Sequence, residues 1–483
     1  MKVEAMRKHA RKIATALSAT ALAAALSAAA LSAGAPSAGA LSAAGAGVTQ
    51  AAGAGSGPRM IPGVLHVGNR TWEDAPTSAD CEQGEQLPCY DPAQIQQAYG
   101  LSGFYAQNTT GAGVSIAIVD SYGSPTVWND LTTFDSQYGL PNPKLTIIHP
   151  AGRVPRYNAK NADMVAWAGE TTLDVEWAHA IAPGASIVLV ETPNDTSDSD
   201  FARAEDYVIT HHLASVISQS WSGTEHGDSL KDPGVQALHD AYVEAERHHV
   251  TVLDAAGDNG ATNPSANIGS PLLTFPNASY PATDPLVTAV GGTELYLDDN
   301  GDHTSPDTVW NDTWNTAVNQ AAGVSTPSAT AGGGGKSTWF ARPSYQNSVR
   351  QTVGARRGVP DVSMNAATSS PVLVYQSFSG EQAGWYPVAG TSEATPLMAG
   401  IVALADQVAG HSLGFINPAL YQLAADHAQG IVLVTSGSNT VTFKQSGHKY
   451  TVRGFTARKG YSRAAGVGTI DGQYFIPELA RLG

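Results

Sequence analysis

The stretch WAGETTLDVEWAHAIAPGASIVLV, Trp167–Val190, reads as a helix that runs into an apolar strand, ASIVLVE at Ala185–Glu191. On that helix Glu170 and Asp174 stand at i and i+4, so at roughly 100° per residue they share one face. Two carboxylates so placed repel by about a few tenths of a kcal/mol, which a solvated face tolerates. The pair gains meaning only if other parts of the chain use it.

The same alternation continues outward on both sides. VSIAIVD (Val114–Asp120) is a buried strand, SDFARAEDYVITHHL a helix, ASVISQSW a strand and DPGVQALHDAYVEAERHH a helix. VTVLDAAGDNGA is a strand breaking into a glycine-rich loop. Strand and helix in turn at this spacing predict an α/β fold, a parallel sheet covered by helices on both faces, with functional residues at the carboxyl ends of strands. Upstream, YDPAQIQQAYGL predicts a helix capped by Asp91, with Pro92 in its first turn. STPSATAGGGG (Ser325–Gly335) is a surface loop or a flexible cleft wall, and Thr440–Tyr461 a hairpin followed by a short terminal helix.

The 483 residues carry 42 acidic and 26 basic side chains, a formal charge of −16. That excludes a polyanion or an anionic lipid surface as the main partner. Lys2, Arg7, Lys8, Arg11 and Lys12 precede an Ala/Leu-rich run, Ile13–Leu31, with small-residue cleavage options at Ala33–Ala35, Ala38–Ala40 and Ala44–Ala46. The expectation is an export signal over 1–46, a flexible segment or short propeptide over 47–88, and a secreted domain over 89–483, with order starting near Cys89. Cys81 and Cys89, the only cysteines, suit one disulfide closing a small loop.

Three loops join the acidic pair as candidates for chemistry. In AGTSEATPLMAGI, Ser392 directly precedes a helix that Pro396 can begin, at a positive helix end. In DAAGDNGA, Asp258 follows a strand between Gly257 and Gly260. In SIAIVDSYGSP, Asp120 ends a strand.

Together these residues, in this order, resemble the sedolisins, serine-carboxyl peptidases on a subtilisin-like fold. ETTLDVEWAHAIAPGASIVLV, SQSW, AAGDNGA, YPATDPLVTAVGGT, GGGGKSTWFARPSYQ, GVPDVSM and GTSEATPLMAGI look like blocks of that family, from about Cys89 to the C-terminus, and resemble exported actinobacterial members in particular. The resemblance implies Ser392 as nucleophile, Glu170 as its base, Asp174 as the supporting carboxylate and Asp258 as the oxyanion-hole acid. It also makes Ser218, Ser220, Trp221, Gly333 and Gly334 candidates for substrate binding. A carboxylate base suits acid, where imidazole is protonated and cannot accept. Two alternatives stand beside this reading. One is an inactive secreted peptide-binding relative. The other is a subtilisin-type triad of Asp120, a histidine and Ser392, although His179 lies on the far side of the helix from Glu170.

The family pattern also fails in places. Sedolisins commonly bind calcium near the C-terminus through two acids, and here Leu433 and Ser462 hold those positions, so no cofactor or metal is expected. The stretch before Cys89 is short beside the large pro-domain of many relatives. Glu393, beside the nucleophile, either tunes its acidity or points outward. Peptides or unfolded proteins are the expected partners, with no nucleic acid, no membrane after signal removal, and a monomeric state.

Overall fold

A computed structural model describes residues 60–68, 70–266, 269–321 and 323–483. The export signal, its cleavage options and the Leu41–Gly57 stretch lie outside the described residues. Along the chain the strands of the main sheet are β1 (Ser115–Ser121), β2 (Lys144–Ile148), β3 (Ser186–Thr192), β4 (Val216–Gln219), β5 (Thr251–Ala255), β6 (Thr288–Glu294), β7 (Thr308–Val309) and β8 (Val362–Asn365). Across the sheet they run β7-β6-β5-β4-β1-β3-β2, with β8 also paired to β6. Every neighbouring pair is parallel except β6 with β7.

Because successive strand residues point to opposite faces, β1 feeds two cores. Ile116 and Ile118 enter one, with Phe134 of helix α1 (Val127–Tyr138), Leu173 and Trp177 of α2 (Ala162–Ile181) and Leu397 and Ile401 of α5 (Thr391–Ala409). Ala117 and Val119 enter the other, with Phe201 and Val208 of α3 (Asp198–Thr210) and Leu238 and Tyr242 of α4 (Pro233–Arg247). A sheet covered on both faces has no polar side, which is why its strands read as apolar runs.

Helices α2 and α5 differ from surface helices in being enclosed all round. Every residue of α2 from Trp167 to Ile181 is buried, and so is every residue of α5 from Thr391 to Asp406. A Cβ on Gly400 would lie 2.5 Å from Ile181 Cβ, so the two helices pack this closely only because position 400 has none.

Order does not start near Cys89 but extends back to Met60. Ile61 and Pro62 pair antiparallel with Ser222 and Trp221, and Leu65 and His66 with Ala389 and Val388. A helix at Ser78–Glu85 follows, capped reciprocally by Thr77 and Asp80, and Cys81 is bonded to Cys89. Two-residue strands paired with partners far along the chain carry no periodicity, so the sequence gives no sign of them. At the other end, Val441–Gln445 and His448–Val452 form the expected hairpin, and Gly472–Leu482 the terminal helix. Among the described residues no helix is long and apolar enough to cross a membrane.

The chain leaves β1 for the edge, returns to β3 beside it, then crosses to β4 on the other side. Parallel sheets hold ligands outside the carboxyl ends of their strands at such a reversal. Asp120 ends β1, Ser220 follows β4 and Asp258 follows β5.

Candidate active site

Strand Gly384–Ala389 delivers the chain to α5 through Gly390, whose φ of 127° suits glycine. Ser392 is the second residue of that helix, and Pro396 lies inside it instead of opening it. The proline has a different effect here. Lacking an N–H, it leaves the Ser392 carbonyl without its i+4 donor. Ser220 fills the gap, its Oγ lying 3.2 Å from that carbonyl oxygen and 2.8 Å from Asp174 Oδ1. A hydroxyl has one proton to give. If Asp174 is protonated it donates to Ser220, which donates onward to Ser392, and both contacts are satisfied.

The Ser392 hydroxyl donates to the Ser220 carbonyl over 3.2 Å, and when it turns to Glu170 instead it favours the ionised form of that acid. Glu170 Oε2 accepts the backbone N–H of Val64 at 2.6 Å. Glu170 Oε1 and Asp174 Oδ2 are sealed from solvent with no acceptable partner, the condition that one shared proton relieves. Burial pushes both acids well above the usual carboxylate range, and the nearby charge of Asp120 pushes further in the same direction. Asp120 therefore belongs to this cluster. Its own carboxyl is raised by burial, tempered by the Thr171 hydroxyl. No histidine hydrogen-bonds Ser392 or Asp120 among the described residues. His179 faces the Pro141 carbonyl and Asp135 instead.

Asp258 approaches from β5. Its Oδ1 accepts from Thr391 N at 2.7 Å and Thr391 Oγ1 at 2.8 Å, fixing it to the residue before Ser392. Its Oδ2 is sealed and without a partner. Burial raises this carboxyl to about 7, against the opposing pull of the two Thr391 bonds. The residue as a whole is only half-buried, but the carboxyl is enclosed, and the enclosure governs its proton affinity. Glu393 points inward, its Oε1 accepting from Asn365 Nδ2 at 2.7 Å, and burial raises it too.

A cavity of about 430 Å³ adjoins these groups, lined among others by Ser220, Trp221, Gly257, Asp258 and Thr391. Of the five residues expected to bind substrate, Ser220 and Trp221 line it. Ser218 is sealed within β4. Gly333 packs behind the wall, where a Cβ would stand 1.9 Å from the Ala256 carbonyl oxygen, and Gly334 lies against the Arg463 carbonyl. The stretch before them is bonded to the Asp258 loop, through Ala331 N to Asp258 O at 3.1 Å and Gly333 N to Gly257 O. It supports the loop instead of hanging free. Near the C-terminus, Leu433 offers no side-chain oxygen, and the Ser462 hydroxyl is already accepting from Ala465 N.

The sequence pattern of the subtilase family matches residues 158–445, so the chain belongs to the subtilase family. Within it the chain is similar to several sedolisins. It is 31% identical over 390 residues to kumamolisin of Bacillus sp. (strain MN-32), covering 79% of this chain and 62% of that protein. It is 30% identical over 410 residues to xanthomonalisin of Xanthomonas sp. (strain T-22), covering 80% and 46%. To sedolisin of Pseudomonas sp. (strain 101) it is 29% identical over 385 residues, covering 79% and 60%. The chain thus spans between about half and three fifths of the length of these relatives. A solved structure of Pseudomonas sedolisin, a serine-carboxyl proteinase complexed with two molecules of pseudo-iodotyrostatin, superposes with a TM-score of 0.65 at 24% identity. The match covers 82% of this chain and 98% of that one, and establishes the subtilisin-like α/β fold.

Proposed function

We propose that the chain is a secreted serine-carboxyl peptidase that hydrolyses peptide bonds in acid through an acyl-enzyme on Ser392. The observation that carries this reading is the convergence on one cleft of a hydroxyl, a buried pair of acids and a third acid with a free oxygen. A serine hydroxyl is a weak nucleophile until a neighbour takes its proton. Glu170 takes it, and Ser392 Oγ attacks the substrate carbonyl. The alkoxide that forms needs a donor, and Asp258 supplies one through Oδ2 as long as it is protonated. Glu170 then returns the proton to the leaving amine, and water releases the acyl group by the same steps.

Three neighbouring carboxyls do not ionise independently. The first negative charge is drawn to Glu170, because the Ser392 hydroxyl and the Val64 N–H both favour its ionised form. Asp174 keeps its proton. Activity therefore requires the cluster to have lost one proton while Asp258 retains its own, which limits work to the acid side of about pH 7. Substrates are peptides or unfolded proteins, since a cleft of this kind takes an extended chain. Leu433 and Ser462 do not fit calcium, which wants several hard and mostly charged oxygens, and the enzyme works without it.

Wild type and Ser392→Ala should be compared on a denatured protein at acidic pH. The variant loses at least about 10⁴-fold in rate. Equal turnover by the two would sink the reading, and inactivity of both would leave a peptide-binding relative in its place.

A further inference from the structure

At the carboxyl end of the sheet, three neighbouring strands set three titratable side chains in a row that leads from the acidic pair to solvent. Asp120 ends β1 and pairs in register with Glu191 of β3. Ile148, the last residue of β2, pairs with Val190, so His149 stands level with Glu191. Aligned residues on parallel strands point to one face, and adjacent strands lie ~4.8 Å apart. That face is the one of Ile118 and Leu189, covered by α2, which carries Glu170 and Asp174.

The row passes from enclosed to open along its length. Asp120 is fully buried, and its two oxygens make no hydrogen bond of ordinary length, the Thr171 hydroxyl being the donor that acts on them. Glu191 is buried too, lodged where a glycine leaves room: a Cβ on Gly123 would stand 1.8 Å from Glu191 Oε1. The His149 side chain is 46% exposed, and its Nε2 lies 2.7 Å from Glu191 Oε2. Burial raises the Glu191 carboxyl, while the hydrogen bond and charge of His149 pull it back. Asp120 is raised to about 7 by burial and, beyond that, by the charge of Glu191. Other charged groups around the row have partners of their own. Asp195 meets Trp167 Nε1 and the Tyr122 hydroxyl, and Arg203 of α3 binds the Ala151 carbonyl and Asp200.

Asp120, Glu170 and Asp174 compete for one negative charge, and the base works only when Glu170 receives it. Donors draw the charge to Glu170, and a second negative group beside Asp120 drives it away from there. We infer that Glu191, charged through its pairing with His149, keeps the proton on Asp120 and so steers the negative charge of the cluster to Glu170. The inference rests on the peptidase reading above and adds two positioning residues to it, both acting through Asp120. His149 matters most in acid. There burial alone would return a proton to Glu191, and an imidazolium beside it keeps it a carboxylate.

The test follows the Asp120 carboxyl directly. Full-length Ser392→Ala protein with carbon-13 in its aspartate carboxyls is titrated from pH 4 to 8 by infrared spectroscopy, and the Asp120 band is identified by its loss in Asp120→Asn. With Glu191→Gln added, Asp120 gives up its proton about one to two pH units lower, the effect of removing a like charge one strand away. In active protein, Glu191→Gln, checked for folding by its melting curve, lowers kcat on a peptide by up to about tenfold with KM unchanged. His149→Gln keeps a hydrogen-bond donor without the charge and moves both readouts the same way at the acid end. His149→Arg restores a cation and returns both to wild-type values. An active wild type whose Asp120 titration is unmoved by Glu191→Gln overturns the inference alone, whatever happens to kcat, and so does a His149→Arg as impaired as His149→Gln. A wild type inactive at every pH overturns the peptidase reading as well.

Discussion

Substituting Asp258→Asn separates the proton on this residue from its shape. The amide oxygen keeps the two Thr391 bonds and the amide nitrogen takes the place of the sealed Oδ2. In the folded wild type the carboxyl is raised from 3.8 to about 7, so it stays neutral where the unfolded chain has already ionised. Its contribution to stability is fully present below about pH 4 and is lost as pH rises towards 7, after which it is constant. At ~1.4 kcal/mol per pH unit, a rise of roughly three units amounts to ~4 kcal/mol. Asparagine does not titrate and loses nothing. Urea midpoints should be measured from pH 4 to 8 with both forms in a Ser392→Ala background, which prevents self-digestion. The asparagine form should gain on the aspartate form by up to ~4 kcal/mol across that range. Parallel curves for the two forms would show that Asp258 does not hold its proton, and the account of the oxyanion donor would fall with it.

Glu170→Gln removes the base but keeps the size, and kcat should fall by about 10²–10⁴-fold with little change in KM; a loss confined to KM would place Glu170 in binding only. A calcium chelator should leave the melting temperature unchanged, and a drop would show that backbone oxygens near Leu433 and Ser462 hold the ion after all. Gly400→Ala puts a methyl group into the crossing of α2 and α5 and should cost about 1–3 kcal/mol of stability by denaturant unfolding; a neutral effect would mean that the two helices can separate freely.

The alternation of strands and helices was legible because burial on two faces leaves continuous apolar runs, as in β1 and β3. The acidic pair on α2 was legible as a pair, but its setting was not. Nothing local tells that both faces of α2 are covered, so a solvated face was the ordinary reading, and the enclosure of Glu170 and Asp174 emerges only from packing against α5. Asp120 could be seen as a carboxyl at a strand end, whereas its approach to Glu170 depends on the order of strands in space. Pro396 misled in the other direction. Prolines favour first turns, and here the residue sits deeper because the helix starts at Thr391. The pairing of residues 61–66 was invisible, since each partner lies far along the chain and each strand is only two residues long.

Pro396 shows how an absence can carry information along a chain. Any other amino acid at that position would restore a regular helical turn and compete with Ser220 for the Ser392 carbonyl. The helix would gain a bond, and Asp174 would lose its mechanical link to the nucleophile. A designer grafting the motif onto another scaffold should therefore transplant the imperfection together with the serine.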